Sequence, residues 1–403
     1  MASRSILYLI SWLATVSAGL AGALFSTYLP DIVGDIMGST DRADIARVGS
    51  WAGGAFLLGW AIGAVGMGTL ADRIGRKRTF FLGTLTCGLG ILGTAFVQSL
   101  PMLVLLRIAT GVGAGTAVLI TAVMVSEAWA TGDRARMIGL LINAFPGGLI
   151  VAGMIAGAQP DFRMAYLVSS VMLLLPVAVW FLVPESAWWQ RSGDIHAERH
   201  IARERLFSAD HRKDLLVGLT LYGSMLVGLW AVFVWGPTWV GTLGDIKDAQ
   251  HHRAFTNVML GIGSMLGGII SGPLNNAVGR RKAAILGYVG CIVLSLATFV
   301  PTHQPGVVLF GLILVLSTFI GMNQGVLTTY IPELFPTMIR AAAAGLCFNV
   351  GRIVTTVTVF FIGVLVPLLG GYNNAILTFA LAYVVGLLTL RAARETRGIM
   401  LPE

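Results

Sequence analysis

Twelve apolar stretches, each of roughly twenty residues or a little more, fill this chain of 403 residues, and no other feature limits its fold as strongly. They run near 6–28, 48–70, 79–99, 101–127, 137–157, 164–184, 214–240, 254–275, 283–301, 307–330, 341–366 and 372–390. About 20 apolar residues in a helix cross the hydrocarbon core of a bilayer. A helix is also the form in which a single segment satisfies its own backbone polar groups in lipid. The expected fold is therefore an all-α membrane protein with twelve transmembrane helices. Composition agrees, with 56% hydrophobic and 11% charged residues against about a quarter charged in a soluble domain. The first stretch follows Arg4 and holds Ala21-Gly22-Ala23, small residues of the kind found at signal cleavage sites. It is longer than the 7–15 residue core of a signal peptide, so it reads as a first span.

One polar connection is long. Residues 186–213 carry Arg191, Arg199, Arg203, Arg205, Arg212 and Lys213 and divide the spans six and six, giving an N-terminal bundle (1–185), a linker (186–213) and a C-terminal bundle (214–403). With the N-terminus inside, the inner connections hold 20 of the Lys and Arg residues and the outer ones five: Arg42, Arg47, Arg163, Lys247 and Arg253. The positive-inside rule then puts both termini in the cytoplasm. This topology accounts for the net charge of +8 without nucleic acid. Cys87, Cys291 and Cys347 all lie in apolar stretches and read as packing residues.

The two halves repeat. Gly68-x3-Asp72-x2-Gly75-Arg76-Lys77 recurs as Gly272-x3-Asn276-x2-Gly279-Arg280-Arg281, and Glu127, Arg134, Gly139 and Asn143 recur as Glu333, Arg340, Gly345 and Asn349. Pro184-Glu185-Ser186 closing the sixth span is echoed by Glu395-Thr396 after the twelfth. Parallel repeats of this kind predict two pseudo-symmetric six-helix bundles with a substrate site between them near the midplane.

These residues resemble the major facilitator superfamily. Gly68-Thr-Leu-Ala-Asp72-Arg73-Ile-Gly75-Arg76-Lys77 is similar to its signature loop between the second and third helices, and Arg107-Ile-Ala-Thr-Gly111-Val-Gly113-Ala-Gly115 resembles its fourth-helix motif. Tyr330-Ile-Pro332-Glu333-Leu-Phe-Pro336-Thr337-Met-Ile-Arg340, Pro184-Glu185-Ser186 and the run from Glu395 to Glu403 resemble the branch of sugar porters, metabolite:proton and aromatic-acid symporters and organic-ion carriers. The resemblance covers essentially the whole chain. It departs at Asn276, where an acid is usual, at Ala187, and in a first helix without a membrane-embedded aspartate. It implies a carrier that works as a monomer in the cell membrane, a bacterial inner membrane being expected, with a small-molecule substrate, the lipid bilayer and, where coupled, protons as partners. No cofactor, metal or nucleic acid is expected.

Charges inside a membrane are costly and mark function. Arg107 lies seven residues into the fourth span, about 10 Å deep at 1.5 Å per residue, with Asp31 or the Tyr28 hydroxyl as a structural partner or a ligand as the alternative. Arg352, about a dozen residues beyond Arg340, sits near the midplane. The Gly351-Arg352 step resembles that of aromatic-acid and organic-anion carriers, and its planar fork suits a carboxylate. Asn143, Asn323, Gln324 and Asn349 add amides, and Trp230, Trp235 and Tyr28 add rings, each read as substrate contact or plain packing. Pro237 is expected to break the seventh helix, and Trp239 to sit in the outer aromatic belt. Asp72, Arg73, Arg76, Glu127, Arg134, Arg280, Glu333 and Arg340 are expected to form a cytoplasmic latch, with Glu127 paired to Arg134 and Glu333 to Arg340. No acid falls near the middle of a span, which leaves Asp31, coupled to Arg107, as the proton-carrying candidate.

No P-loop is present, so ATP does not drive the chain directly, and no enzyme is expected. His196 and His200 are four apart, too few ligands for a metal site. The reading is a secondary transporter for a small organic anion, a carboxylate above all, working by alternating access with proton coupling left open. A sugar or other neutral-solute porter is the first alternative, and a non-transporting membrane sensor the second.

Overall fold

The computed structural model describes residues 2–129, 131–159, 161–191, 207–301 and 304–397. Its spans are α1 (Ala2–Met37), α2 (Arg42–Ile74), α3 (Arg76–Thr94), α4 (Leu100–Ala128), α5 (Thr131–Ile142 continued by Ala144–Ala158), α6 (Phe162–Ser169 and Leu174–Leu182 joined by the 3-10 stretch Ser170–Leu173), α7 (Ala209–Val240), α8 (Ala249–Val278), α9 (Arg280–Phe299), α10 (Val307–Glu333), α11 (Thr337–Leu368) and α12 (Tyr372–Thr389). Among the described residues eleven of these are long and apolar enough to cross a membrane. The exception, α3, has 19 residues and opens on Arg76-Lys77-Arg78, yet at 1.5 Å per residue it still covers about 28 Å. Short turns alternate the helix directions, so α1 begins and α12 finishes at one end of the bundle, called here the termini end; the other is the far end.

Several helices overrun the apolar stretches that announce them. The first continues through Pro30, Asp31 and Asp35 to Met37, and α8 starts at Ala249 rather than 254. Polar residues at these ends find partners instead of ending the helix: Arg163 donates to Asp35 at 2.5 Å and to the carbonyl of Ala95 at 2.8 Å. Proline acts locally. Pro146 lacks an N–H and its ring crowds the carbonyl four residues back, that of Ile142, and α5 is interrupted at Asn143. Pro176 is likewise four residues beyond Met172, in the 3-10 stretch of α6. Pro237 does not break α7, which runs on to Val240, and Trp239, near its far end, is buried against Phe299 with ring centroids 4.8 Å apart.

Within a bundle, small residues let helices approach closely, as membrane packing favours. A Cβ on Gly59 or Gly63 of α2 would collide with the backbone of Ile108 or Val112 of α4. The outer faces carry large apolar side chains such as Leu105, Leu174, Phe181, Val293 and Leu381, all more than half exposed. In water such a surface would aggregate; against acyl chains it is the expected coat.

The halves meet where α1 faces α7, α2 faces α11 and α5 faces α8. Gly363 sits on Ser50, Gly261 on Ile150 and Gly153 on Ala254. Among the described residues the hydrogen bonds that join the halves lie between mid-span and the far end, among them Asn143 Nδ2 to the Met265 carbonyl at 3.1 Å, Thr238 to the Ser26 carbonyl at 3.2 Å, and Tyr372 to the Arg42 carbonyl at 3.3 Å. The residues 192–206 of the expected linker, with His196 and His200, lie outside the described part, as do residues 398–403.

Candidate functional site

The repeated signature motifs build two matching charge clusters at the termini end. Gly75 (φ 103°) and Gly279 (φ 91°) turn the chain between α2 and α3 and between α8 and α9 in a conformation that side chains rarely adopt. A carboxylate lies against each: a Cβ on Gly75 would strike Glu185, and one on Gly279 would strike Glu395. Glu185 accepts from the backbone N–H of Arg76 at 2.9 Å and Lys77 at 3.1 Å, and Glu395 from those of Arg280 at 2.9 Å and Arg281 at 3.1 Å. Each acid thus caps the first turn of α3 or α9, where the helix dipole favours negative charge. The signal was present in the sequence as the echo between Pro184-Glu185 and Glu395-Thr396, without the partner it implies.

The ion pairs differ from the expected ones. Glu127 meets Arg76 at 3.4 Å rather than Arg134, and Arg76 also holds Asp72 at 2.7 Å. Glu333 meets Arg280 at 2.9 Å rather than Arg340, whose Nε donates to the carbonyl of Phe335. Seven residues put Arg134 and Arg340 on the next helix, past the turn, whereas Arg76 and Arg280 start helices packed alongside. Arg73 and Arg134 are exposed at the termini end. Each of these described pairs lies within one half.

The far end is closed by an ion pair across the halves. Arg253 on α8 donates to Asp31 on α1 at 3.0 Å, and one turn deeper Asn257 bonds the hydroxyl of Thr27. Arg253 is 6% exposed. Asp31 therefore couples to Arg253, not to Arg107. The longer α8 explains this, because it brings Arg253, which the sequence places in an outer loop, into the helix. Tyr28 bonds the carbonyl of Gln159.

Arg107 is buried in an apolar setting. Its guanidinium lies between the rings of Phe25 and Phe56, 4.4 and 4.3 Å from their centroids, and donates to the carbonyls of Ala21 at 2.9 Å and Ala52 at 3.4 Å. Two cation–π contacts and two carbonyls replace the expected acid and tie α4 to α1 and α2.

A cavity of about 580 Å³ runs from mid-span to the termini end between α5, α8 and α10. Asn143 and Gln324 line it, as do Asn275, Asn276, Ser264, Thr328, Arg136 and Arg280, and among the described residues no Asp or Glu does. Asn275, 2% exposed, keeps both amide atoms without a hydrogen-bond partner, a state that costs free energy until something supplies the partner. Its counterpart in the repeat is Ala71, so symmetry gave no hint of it.

The remaining candidates lie elsewhere. Asn323 faces α9, its amide beside Gly287, and is fully buried. Asn349 accepts from Arg352 at 3.3 Å on α11; neither lines the cavity. Trp235 is buried with Tyr372 at 5.6 Å and against Gly49. Trp230 joins a ring cluster with Phe56, Trp60 and Phe145, of which only Phe145 reaches the cavity.

Comparison with known proteins agrees with this architecture. The family model of the Major Facilitator Superfamily matches residues 11–358. A cis,cis-muconate transport protein of Acinetobacter baylyi is 29% identical over 372 residues, covering 89% of this chain and 87% of its own. A niacin transporter of the same organism is 26% identical over 384 residues, covering 86% and 85%. The crystal structure of a D-xylose-proton symporter superimposes with a TM-score of 0.81 at 18% identity, over 98% of this chain and 99% of that one.

Proposed function

The chain belongs to the major facilitator superfamily, and we propose that it carries a small organic anion, a carboxylate, across the membrane by alternating access. It is a multi-pass membrane transporter and not an enzyme. The observation that carries the anion reading is the cavity: two arginines, four side-chain amides and no carboxylate among its described lining residues. A cargo carboxylate entering there meets the Arg136 guanidinium and the amides as donors, while Arg280 is already held by Glu333 behind the lining. The names of the muconate and niacin relatives point to the same class of cargo. Arg352 belongs to the proposal as a cation within α11 whose described side-chain partner is a neutral amide, that of Asn349.

The distribution of Lys and Arg supports a cytoplasmic termini end, so the cavity faces the cytoplasm in this conformation, with Asp31 and Arg253 holding the outer side shut. Arg73, Arg134 and Arg340, with the two charge clusters, are assigned to gating the inner end. The amides would also suit hydroxyl groups of a neutral solute, and one experiment separates the two. Purified protein in proteoliposomes is expected to take up radiolabelled carboxylates, and competition by carboxylates but not by sugars supports the anion reading. Uptake inhibited by sugars and indifferent to carboxylates overturns it, and absence of flux for every solute returns the sensor reading.

A further inference from the structure

The deep end of the cavity sets one aromatic residue, Phe145, beside Ser264. Phe145 follows the break in α5 at Asn143 by two residues and lines the cavity with it. Behind it, Trp60 of α2 and Trp230 of α7 stand edge to face against the ring, centroids 5.6 and 6.2 Å away at 66° and 69°. Phe56 locks both tryptophans from the rear at 5.7 and 6.4 Å. These three supporting rings are 1 to 8% exposed, whereas Phe145 is part-exposed. On its other side Phe145 closes, with Gly22, Leu149 and Trp230, a void of about 10 Å³, room for roughly one water. Phe145 therefore stands between the cavity and this second, smaller space, with one ring from each half, Trp60 and Trp230, packed against it.

The cavity thus grades along its length from arginine at the mouth (Arg136, Arg280) through amides (Asn143, Gln324) to one pre-oriented aromatic wall. We propose that Phe145 is a specificity-determining residue that selects carboxylates borne on a flat, unsaturated body over saturated carboxylates of equal carbon number. This rests on the anion reading. A flat π-system meets a held ring edge to face or offset, and it has few rotors to freeze. A saturated chain or puckered ring makes fewer contacts with the same wall and loses more rotamer freedom on binding.

Isothermal titration of the purified full chain tests this with two matched pairs, benzoate against cyclohexanecarboxylate and hexa-2,4-dienedioate against hexanedioate. The planar member of a pair is expected to bind about 3- to 10-fold more tightly, the scale of one aromatic contact. Phe145→Leu, which keeps an apolar side chain, should bring the planar acid down to the affinity of the saturated one and leave the latter unchanged. Phe145→Trp should retain the preference. Equal affinities within both pairs for the unaltered protein overturn the aromatic selection while leaving the anion reading standing, and need no variant to fold. A preference that survives Phe145→Leu overturns the role of Phe145. Binding of none of the four acids overturns the anion reading and this inference with it.

Discussion

Removing the Asp31 carboxylate should loosen the far end of the protein. At 3.0 Å from Arg253 the Coulomb energy with an effective dielectric of 20 is about 5.5 kcal/mol. That figure is an upper bound, because the Asp31 side chain is 39% exposed and solvent screens it. Breaking a fully buried pair costs roughly 3–5 kcal/mol. For this half-open pair, with the Asn257 to Thr27 bond one turn deeper left intact, about 1–3 kcal/mol is reasonable. The residual cost falls on Arg253, which stays 7% exposed in its side chain with Nε already lacking a partner. Since the pair exists only when α1 and α8 meet, Asp31→Asn should move the closed-to-open equilibrium at this end by roughly 5- to 150-fold. Spin labels at Thr40 and Asp245, exposed in the far-end loops of the two halves, would report it as a longer distance population. The three native cysteines are buried and spare the labelling. If the distance distribution in Asp31→Asn matches that of the unaltered protein, the pair does not hold the far end. If Asp31→Asn and Arg253→Gln have additive effects in the double variant, the two residues are not coupled.

The cap on α9 gives a pH signature. Burial raises the Glu395 pKa, but N–H groups of Arg397, Arg280, Arg281 and Thr396 lower it further, and the net shift is downward. Its stabilisation is therefore complete above the ordinary glutamate pKa and lost as pH falls through the depressed one. Glu395→Gln should lose on the order of 1 kcal/mol at neutral pH, and its melting curve should converge with that of the unaltered protein in acid; a constant gap at every pH would discount the cap. Arg352 lies outside the cavity in this conformation; Arg352→Lys keeps the charge and loses the fork, so carboxylate uptake should fall at least tenfold with expression unchanged, and normal uptake would remove Arg352 from the anion proposal. Asp72→Asn takes one of two acids from Arg76, whereas Asn276 already stands at the matching place, so labelling of cysteines introduced at the termini end should rise in this variant; unchanged labelling sinks the gating assignment. Uptake with and without an inward proton gradient settles coupling: gradient-independent transport with Asp31→Asn fully active would exclude a proton route through Asp31.

The paired clusters suggest why two turns were kept so alike. In each half one arginine at the start of a helix gathers an acid from the neighbouring helix, and one acid after the last helix of that half caps the same turn. Helix ends otherwise leave unsatisfied N–H groups, and at a membrane surface such a cap ties three segments at once.

Much of this architecture was legible in the amino-acid sequence. Spans are decided by local hydropathy because lipid leaves a helix no alternative, and the repeat exposed the two halves because equivalent turns need the same glycines and charges. Asn143 and Gln324 could be nominated for the same reason: an amide in an apolar span must find a partner. Partners themselves were decided only in three dimensions. Glu127 and Glu333 turned to Arg76 and Arg280, and Asp31 to Arg253, because helix ends ran beyond the apolar stretches and brought loop cations into helices. Arg107 found two rings and two carbonyls, partners that bear no charge to search for. The cavity itself, lined by the unsatisfied Asn275 and with Phe145 at its deep end, exists only through the crossing of α5, α8 and α10. Hydropathy is a property of one segment, whereas a cavity is the space that several segments fail to fill.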